Sequence, residues 1–193
     1  MSKPRVFVTQ PVAESALARL RAVADVEVNP DSSKVIGKDD LCAGVARADI
    51  LFALLHDRVD KDVLAANPKL RAVNAMVITP DLIDVAEATR RKIPVTNIPA
   101  IVTDATADIC FALLLAVARR VVEGDKLFRA GVYPGSQSNH LAGAAVSGKT
   151  MGLIGAGRIG QAVARRAHGF GMKVIYADPR RVPEETERQY GMT

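Results

Sequence analysis

A glycine-rich turn between a strand-like segment and a helical segment constrains this chain more than any other feature. Gly155, Gly157 and Gly160 form a G-x-G-x-x-G run, preceded by an apolar stretch at 149–154 and followed by helical periodicity over 158–170. The first glycine permits a tight turn, the second leaves room for a pyrophosphate, and the third allows the helix to pack closely on the strand. The N-terminus of the helix offers unpaired N–H groups to phosphate oxygens. The pattern therefore predicts a dinucleotide site, and the alternative is a glycine-rich turn without a ligand.

An acidic residue downstream indicates which dinucleotide is favoured. Asp178 ends a second strand-like run and lies 18 positions after Gly160. A carboxylate at this spacing can accept hydrogen bonds from the adenine ribose hydroxyls and would repel a 2′-phosphate, which favours NAD. Arg180 and Arg181 follow at once and could attract that phosphate, so NADP is the less favoured alternative. A solvated turn is the other interpretation of the two arginines.

The first hundred residues alternate between strand-like and helical segments. The strand-like segments are 5–9, 26–28, 49–55, 70–78 and 93–97, and the helical ones are 13–23, 39–48, 61–66 and 80–91. This order predicts a parallel sheet with helices on both faces. Asp81 and Asp84 are expected in the first turn of the helix at 80–91, where the helix dipole favours acidic side chains.

The second half begins with a break at 98–100 that is typical of a hinge. One long helix is predicted from 103 to 129, capped by Thr103 or Asp104, and a polar loop from 131 to 147 follows. From residue 149 onward the pattern supplies only a strand, a helix, a strand and one further charged helix. A dinucleotide-binding sheet uses about six strands, so the remaining strands are expected either to be missing or to be supplied from elsewhere.

Composition and charge narrow the class of protein. Hydrophobic residues make up 49% and charged residues 24% of the 193 residues, which is typical of a globular protein. No apolar run approaches the roughly 20 residues of a membrane span. The net charge of +5 is scattered and aromatic residues make up only 4%, which disfavours nucleic-acid binding and favours small anionic ligands. Cys42 and Cys110 lie on separate predicted helices without CxxC spacing, which predicts no metal site and a reducing, cytoplasmic location.

Several short stretches occur in an order that is specific when they are taken together. They are Pro80–Ala86, Arg91–Asn97, Pro99–Asp108, Arg119–Arg120, Arg129–Gly131, Leu141–Gly143, Gly148–Gly152 and Gly169–Tyr176. With the glycine turn, the span from about Val73 to Asp178 resembles the D-isomer-specific 2-hydroxyacid dehydrogenases. Within that family it looks most like the glyoxylate and hydroxypyruvate reductases.

The resemblance implies a fold and an activity. The expected fold class is α/β, with a flavodoxin-like parallel-sheet substrate domain at 1–99 followed at 100–193 by the first part of a Rossmann NAD-binding domain, incomplete at its C-terminal end. The implied activity is NAD-dependent hydride transfer to or from a D-2-hydroxy acid or its 2-oxo acid, such as glyoxylate or hydroxypyruvate. The family's dimers also imply a homodimer that uses the long helix.

The resemblance also implies roles for individual residues. The backbone amides of Arg158 and Ile159 would meet the pyrophosphate, and Thr106 would approach the nicotinamide side. Loop residues Val77, Ile78 and Thr79 would hold the substrate carboxylate through backbone N–H groups. The family usually has glycine where Thr79 stands, so this loop can bind an anion only if its dihedral angles suit a non-glycine residue.

The catalytic residues of the family are expected beyond Thr193. They are a histidine that moves a proton, a glutamate paired with it, and an arginine that grips the substrate. His56, His140 and His168 are interpreted as surface or packing residues, and no catalytic residue is assigned within the chain. Two hypotheses stay open: a truncated or split dehydrogenase, or a non-catalytic NAD-binding or interaction fragment that associates through its long helix.

Overall fold

The computed structural model describes residues 2–31 and 33–193 and divides into two compact units, Met1–Ala100 and Ile101–Thr193. The elements of unit 1 are β1 (Arg5–Val8), α1 (Glu14–Val23), β2 (Asp25–Val28), α2 (Lys38–Ala46), β3 (Ile50–Ala53), α3 (Lys61–Ala65), β4 (Ala72–Ala75), α4 (Val85–Arg90) and β5 (Val95–Thr96). The elements of unit 2 are α5 (Thr103–Ala118), α6 (Val121–Arg129), β6 (Thr150–Ile154), α7 (Arg158–Gly169), β7 (Lys173–Ala177) and α8 (Glu184–Tyr190).

Unit 1 is a five-stranded parallel sheet in the order β2-β1-β3-β4-β5. This is the flavodoxin-like order, with the switch point between β1 and β3. Alternate side chains point to opposite faces of the sheet. The face that carries Phe7, Leu51 and Val73 packs on α2, α3 and α4, and the face that carries Val6 and Ile50 packs beside α1.

Unit 2 is a strand–helix–strand unit with α5 packed on α7. Strands β6 and β7 are parallel, in register from Thr150 opposite Lys173 to Ile154 opposite Ala177. Phe111 of α5 stacks on Phe170, with ring centroids 5.2 Å apart, inside a core that also holds the buried alanines of α7. The two units together confirm the fold class expected from the sequence.

The last two residues of the chain run alongside β7. Met192 forms a parallel bridge with Val174, and the Thr193 N–H donates to the Val174 carbonyl at 3.1 Å. The Tyr176 N–H in turn donates to the Thr193 carbonyl at 3.0 Å. These contacts occupy the edge of β7 that faces away from β6.

The predicted long helix from 103 to 129 is wrong, because the structure has two helices there. Arg120, between α5 and α6, adopts a left-handed conformation with φ of 54°. The carbonyl of Ala118 accepts a hydrogen bond from the Ala144 N–H at 2.8 Å, so the later loop docks on the end of α5. Gly143 passes so close that a Cβ there would lie 2.3 Å from the Ala118 oxygen.

The starts of two helices also differ from the prediction. The helix expected at 80–91 begins only at Val85, because Val59 pairs with the preceding residues: its N–H donates to the Leu82 carbonyl and its carbonyl accepts from the Asp84 N–H, both at 2.9 Å. Asp84 is therefore the N-cap, accepting from the Glu87 N–H at 2.9 Å, and Asp81 lies outside the helix. Helix α5 begins at Thr103 with Val102 as its N-cap residue, so neither Thr103 nor Asp104 holds the N-cap position.

Candidate functional site

The turn between β6 and α7 has the backbone that its glycines predict. Gly155 has φ of +99°, a conformation that L side chains rarely adopt, and its N–H donates to the Ala177 carbonyl at 2.8 Å. Gln161 supports the turn from α7, donating from Nε2 to the Ala156 carbonyl at 2.9 Å. The turn is thus held both by β7 and by its own helix.

The second and third glycines of the motif have different environments. A Cβ at Gly157 would meet nothing within 4 Å, so the space beside this backbone is open. A Cβ at Gly160 would lie 2.3 Å from the Gly155 carbonyl oxygen. Gly160 therefore serves packing, whereas Gly157 leaves room for a group that approaches the backbone.

The N-terminus of α7 presents unpaired donors. Among the described residues, the backbone N–H groups of Gly157, Arg158 and Ile159 have no hydrogen-bond acceptor, and no side chain caps the helix. A 12-residue helix directs the positive end of its dipole to the same point. Adjacent N–H donors at such an end are suited to phosphate oxygens.

The side chain of Asp178 is hydrogen-bonded to this turn. Its Oδ2 accepts the Ala156 N–H at 2.9 Å and its Oδ1 accepts the Arg180 N–H at 2.9 Å. These two backbone donors, the Ala156 N–H first, hold the pKa of Asp178 below its usual value. The group is therefore an anion at neutral pH, and each oxygen keeps a lone pair for a hydroxyl donor.

The two arginines after Asp178 differ in their contacts. The side chain of Arg181 binds both oxygens of Glu187 on α8, from Nε to Oε1 at 3.0 Å and from an Nη to Oε2 at 2.9 Å. Tyr176 donates its hydroxyl to the same Oε1 at 2.6 Å. The guanidinium of Arg180 has no hydrogen bond or ion pair with the described part of the chain.

Thr106, which the family resemblance assigns to the nicotinamide side, lies in the first turn of α5. Its hydroxyl donates back to the Val102 carbonyl at 2.8 Å. A pocket of about 220 Å³ between α5 and α7 is lined by Asp104, Arg158, Gln161 and Arg165, among others, but not by Thr106. Unit 2 thus places the start of α5 beside the glycine-turn helix without placing Thr106 in that pocket.

The expected carboxylate loop follows β4 in unit 1. Asn97 donates its side-chain amide to the Ile78 carbonyl, and the Ile98 N–H donates to the Val77 carbonyl at 3.0 Å. Within the described residues, the N–H groups of Val77, Ile78 and Thr79 have no acceptor. None of the three has a positive φ, so Thr79 occupies the family's usual glycine position without a left-handed backbone.

A buried polar pair lies at the carboxyl ends of β1 and β3. Thr9 and Asp57 are 0% and 2% exposed, and the Thr9 hydroxyl donates to Asp57 Oδ2. The Leu54 N–H donates to the same oxygen at 2.6 Å, while Asp57 Oδ1 is buried with no partner among the described residues. No local pattern signals this pair, because 48 residues separate its members.

The three histidines differ in their surroundings. His56 and His140 are exposed, and neither side chain has a hydrogen bond or ion pair with another described residue. His168 is also exposed, and its Nε2 lies 2.6 Å from the Tyr190 carbonyl, where it packs over Gly191. His168 therefore packs against the C-terminal end of α8 while it stays exposed.

Residues 2–31 and 33–193 contain neither a candidate metal site nor a candidate membrane span. Within those ranges no three His, Cys, Asp or Glu side chains are grouped so that they could hold a metal ion. None of the helices there is both long and apolar enough to cross a membrane. Cys42 and Cys110 are free.

The fold and the glycine turn define a dinucleotide-binding α/β protein, and comparison with known proteins gives the family. Residues 111–193 match the family model of the D-isomer specific 2-hydroxyacid dehydrogenase, NAD binding domain. Glyoxylate reductase of Thermococcus litoralis is 43% identical over 189 residues, which cover 96% of this chain and 57% of that protein. Glyoxylate reductase of Pyrococcus horikoshii is 44% identical over 191 residues, which cover 97% and 57%.

A solved structure supports the same conclusion. A Polaromonas protein described as a D-isomer specific 2-hydroxyacid dehydrogenase superposes with a TM-score of 0.88 at 30% identity, over 96% of this chain and 58% of that protein. These similarities support the D-isomer specific 2-hydroxyacid dehydrogenase family for the chain, which spans little more than half the length of the relatives it matches.

Proposed function

We propose that this chain is the substrate-binding sheet and the first part of the NAD-binding domain of an oxidoreductase that acts on a D-2-hydroxy acid or reduces the corresponding 2-oxo acid. Residues 1–99 are assigned to the substrate domain and 100–193 to the NAD-binding domain. The observation that carries the proposal is the set of unpaired N–H groups of Gly157, Arg158 and Ile159, beside which Asp178 is fastened as an anion.

The cofactor part of the proposal follows from that geometry. The N–H groups at the start of α7 would hold the pyrophosphate, with Gly155 and Gly160 shaping the turn, and Asp178 would accept hydrogen bonds from the adenine ribose hydroxyls. Thr106 is assigned to the nicotinamide side. The nicotinamide supplies hydride transfer when it is bound, and the protein supplies binding and orientation. NAD is favoured over NADP because Asp178 is anionic and Arg181 is paired with Glu187.

The substrate part rests on the loop after β4. Three successive N–H groups without acceptors, at Val77, Ile78 and Thr79, are suited to a carboxylate. The relatives named glyoxylate reductase make glyoxylate the first substrate to test, with hydroxypyruvate next.

The association state and the location are also part of the proposal. Ile109, Leu113 and Val117 form an apolar stripe on α5, and they are 58%, 61% and 80% exposed. A homodimer that covers this stripe would remove it from water, as exposed apolar stripes generally require. A reducing cytoplasm suits the two free cysteines.

The alternative is a non-catalytic NAD-binding or interaction fragment. One observation favours this alternative. Among the described residues, no histidine side chain is hydrogen-bonded to a glutamate side chain, as the family's catalytic pair would be. Binding and turnover separate the two functions. NADH binding to the 193-residue chain is measured by nucleotide fluorescence, and turnover by NADH absorbance with glyoxylate and with hydroxypyruvate.

We expect the chain to bind NADH and to show no appreciable turnover, because the family's proton-transfer and substrate-gripping residues are not assigned within it. Gly157→Ala is the control, since a Cβ there contacts nothing in the protein but occupies the space of the pyrophosphate. Clear turnover would contradict the assignment of catalysis outside the chain. Equal binding by the wild type and the Gly157→Ala variant would contradict the cofactor site itself.

A further inference from the structure

Glu187 holds Arg181 in a two-point contact that is supported from β7. The guanidinium contacts both carboxylate oxygens of Glu187, and the hydroxyl of Tyr176 donates to one of them. The Tyr176 oxygen itself accepts the Val182 N–H at 3.2 Å, so the chain just after Arg181 is held as well. The side chain of Glu187 is 12% exposed and that of Arg181 is 78% exposed, so the pair lies at the surface with its acidic member turned inward.

Arg181 lies close to the expected position of the adenine ribose. Arg181 lies three positions after Asp178, which corresponds to about 10 Å of fully extended chain at most. The segment is not fully extended, because the Arg180 N–H turns back to Asp178 Oδ1 at 2.9 Å. A released Arg181 guanidinium is therefore within reach of a group bound at Asp178.

We propose that Glu187 determines cofactor preference at a distance from the cofactor, by withholding Arg181 from the 2′-position of the adenine ribose. The inference rests on the proposed binding of a dinucleotide at the glycine turn. A guanidinium forms a fork of donors that matches a phosphate group, so an unpaired Arg181 would favour a 2′-phosphate. While Glu187 occupies that fork, the pair is neutral and the carboxylate of Asp178 sets the local charge.

Arg180 does not provide the same control. Its guanidinium has no partner in the described part of the chain, so it contributes equally whether or not Glu187 is present. Arg180 therefore sets a constant background attraction for phosphate. Arg181 differs from Arg180 because its guanidinium can bind a phosphate only when it is released from the Glu187 carboxylate of α8.

The test is the binding of NADH and of NADPH to the wild-type chain and to Glu187→Gln, measured by nucleotide fluorescence. The substitution keeps the shape of the side chain and removes its charge. We expect the ratio of NADPH to NADH affinity to rise by about tenfold, the size of one charge-assisted hydrogen bond to phosphate. Glu185→Gln is the matched control, because Glu185 lies on the same helix and has no hydrogen bond or ion pair with the described residues.

A double variant separates release of Arg181 from loosening of α8. In Glu187→Gln combined with Arg181→Gln, the gain in NADPH affinity should disappear, since no released guanidinium remains. A gain that persists in the double variant would overturn the inference. So would an unchanged ratio in Glu187→Gln, or an equal gain in Glu185→Gln.

The outcome also distinguishes this inference from the proposed function. If the wild-type chain binds NADH and the ratio does not move in Glu187→Gln, only the role of Glu187 is overturned. If the wild-type chain binds neither nucleotide, the dinucleotide site and the inference that rests on it are overturned together.

Discussion

Unit 1 and unit 2 are built from the same kinds of element but bury them to different extents. In unit 1, five strands share one sheet, and the core on one face includes side chains that are fully buried, such as Leu51, Val63 and Val73. In unit 2, two strands pair, and the largest share of the core comes from α7 and α5. Among the described residues, large exposed apolar side chains number six in unit 1 and thirteen in unit 2.

The outer face of the small sheet shows where the difference arises. Ile154 on β6 is 100% exposed and Ile175 on β7 is 51% exposed, whereas their strand neighbours Leu153 and Val174 face the core. Parallel strands normally have both faces covered. Unit 1 therefore buries most of its large apolar side chains within itself. Unit 2 leaves more of them exposed, including those on one face of its sheet. The candidate nucleotide site lies on the less enclosed unit.

The largest expected effect tests the packing difference directly. Leu51→Ala should lower the free energy of unfolding by about 2–5 kcal/mol, because it leaves a cavity in a fully buried part of unit 1. In the monomeric chain, Leu113→Ala on α5, where the side chain is 61% exposed, should change the free energy of unfolding by no more than about 0.5 kcal/mol. Urea unfolding followed by circular dichroism measures both. Equal losses for the two variants would mean that α5 is as well packed as β3.

The next effect separates stability from binding within unit 2. Gly160→Ala should destabilise the chain by about 1–3 kcal/mol, because its Cβ overlaps the Gly155 carbonyl and α7 must move away from the turn. Gly157→Ala should leave stability nearly unchanged and abolish nucleotide binding. Thermal unfolding and NADH titration of both variants provide the readouts. Destabilisation by Gly157→Ala would show that the open space beside that residue is not open in solution.

A smaller effect concerns the carboxylate that links the two strands of unit 2. Asp178→Ala should weaken NADH binding by about tenfold, because a charge-assisted hydrogen bond to the ribose is lost, and it should relax discrimination against NADPH. The Ala156 N–H also loses its acceptor, so the turn should become less protected from hydrogen exchange. Nucleotide titrations and amide exchange measure the two consequences. An unchanged preference between NADH and NADPH would remove Asp178 from the ribose site.

The smallest expected effect is on the pH dependence of stability, through the contacts that Glu187 of α8 makes. The pKa of Glu187 is lowered to about 2, first by the side chain of Arg181 and then by the hydroxyl of Tyr176. A lowered folded-state pKa means that the stabilising contribution is fully present above the ordinary glutamate value of 4.5 and is lost as the pH falls toward about 2. The stability difference between wild type and Glu187→Gln should therefore shrink over that interval. A difference that stays constant from pH 5 to pH 2 would contradict the assigned pairing.

Local sequence determined the repeating elements and the glycine turn. Periodicity alone predicts the alternation of strands and helices in unit 1, because each element must bury one face or one stripe. Gly155 and Gly160 predict the turn, because a positive φ at the first and a close backbone approach at the second exclude other side chains, whereas Gly157 leaves open space beside the backbone. The sequence also predicts the placement of Asp178, because this residue comes directly after β7.

Tertiary structure decided the features whose partners lie far away in the sequence. The break at Arg120 depends on a loop that docks on the end of α5, and the late start of α4 depends on pairing with Val59. The guanidinium of Arg181 is paired with Glu187, although the sequence of two adjacent arginines and a charged helix does not show which arginine is paired. Helix propensity and charge spacing are local quantities, whereas these outcomes depend on hydrogen-bond acceptors and carboxylates that only the folded chain brings within reach.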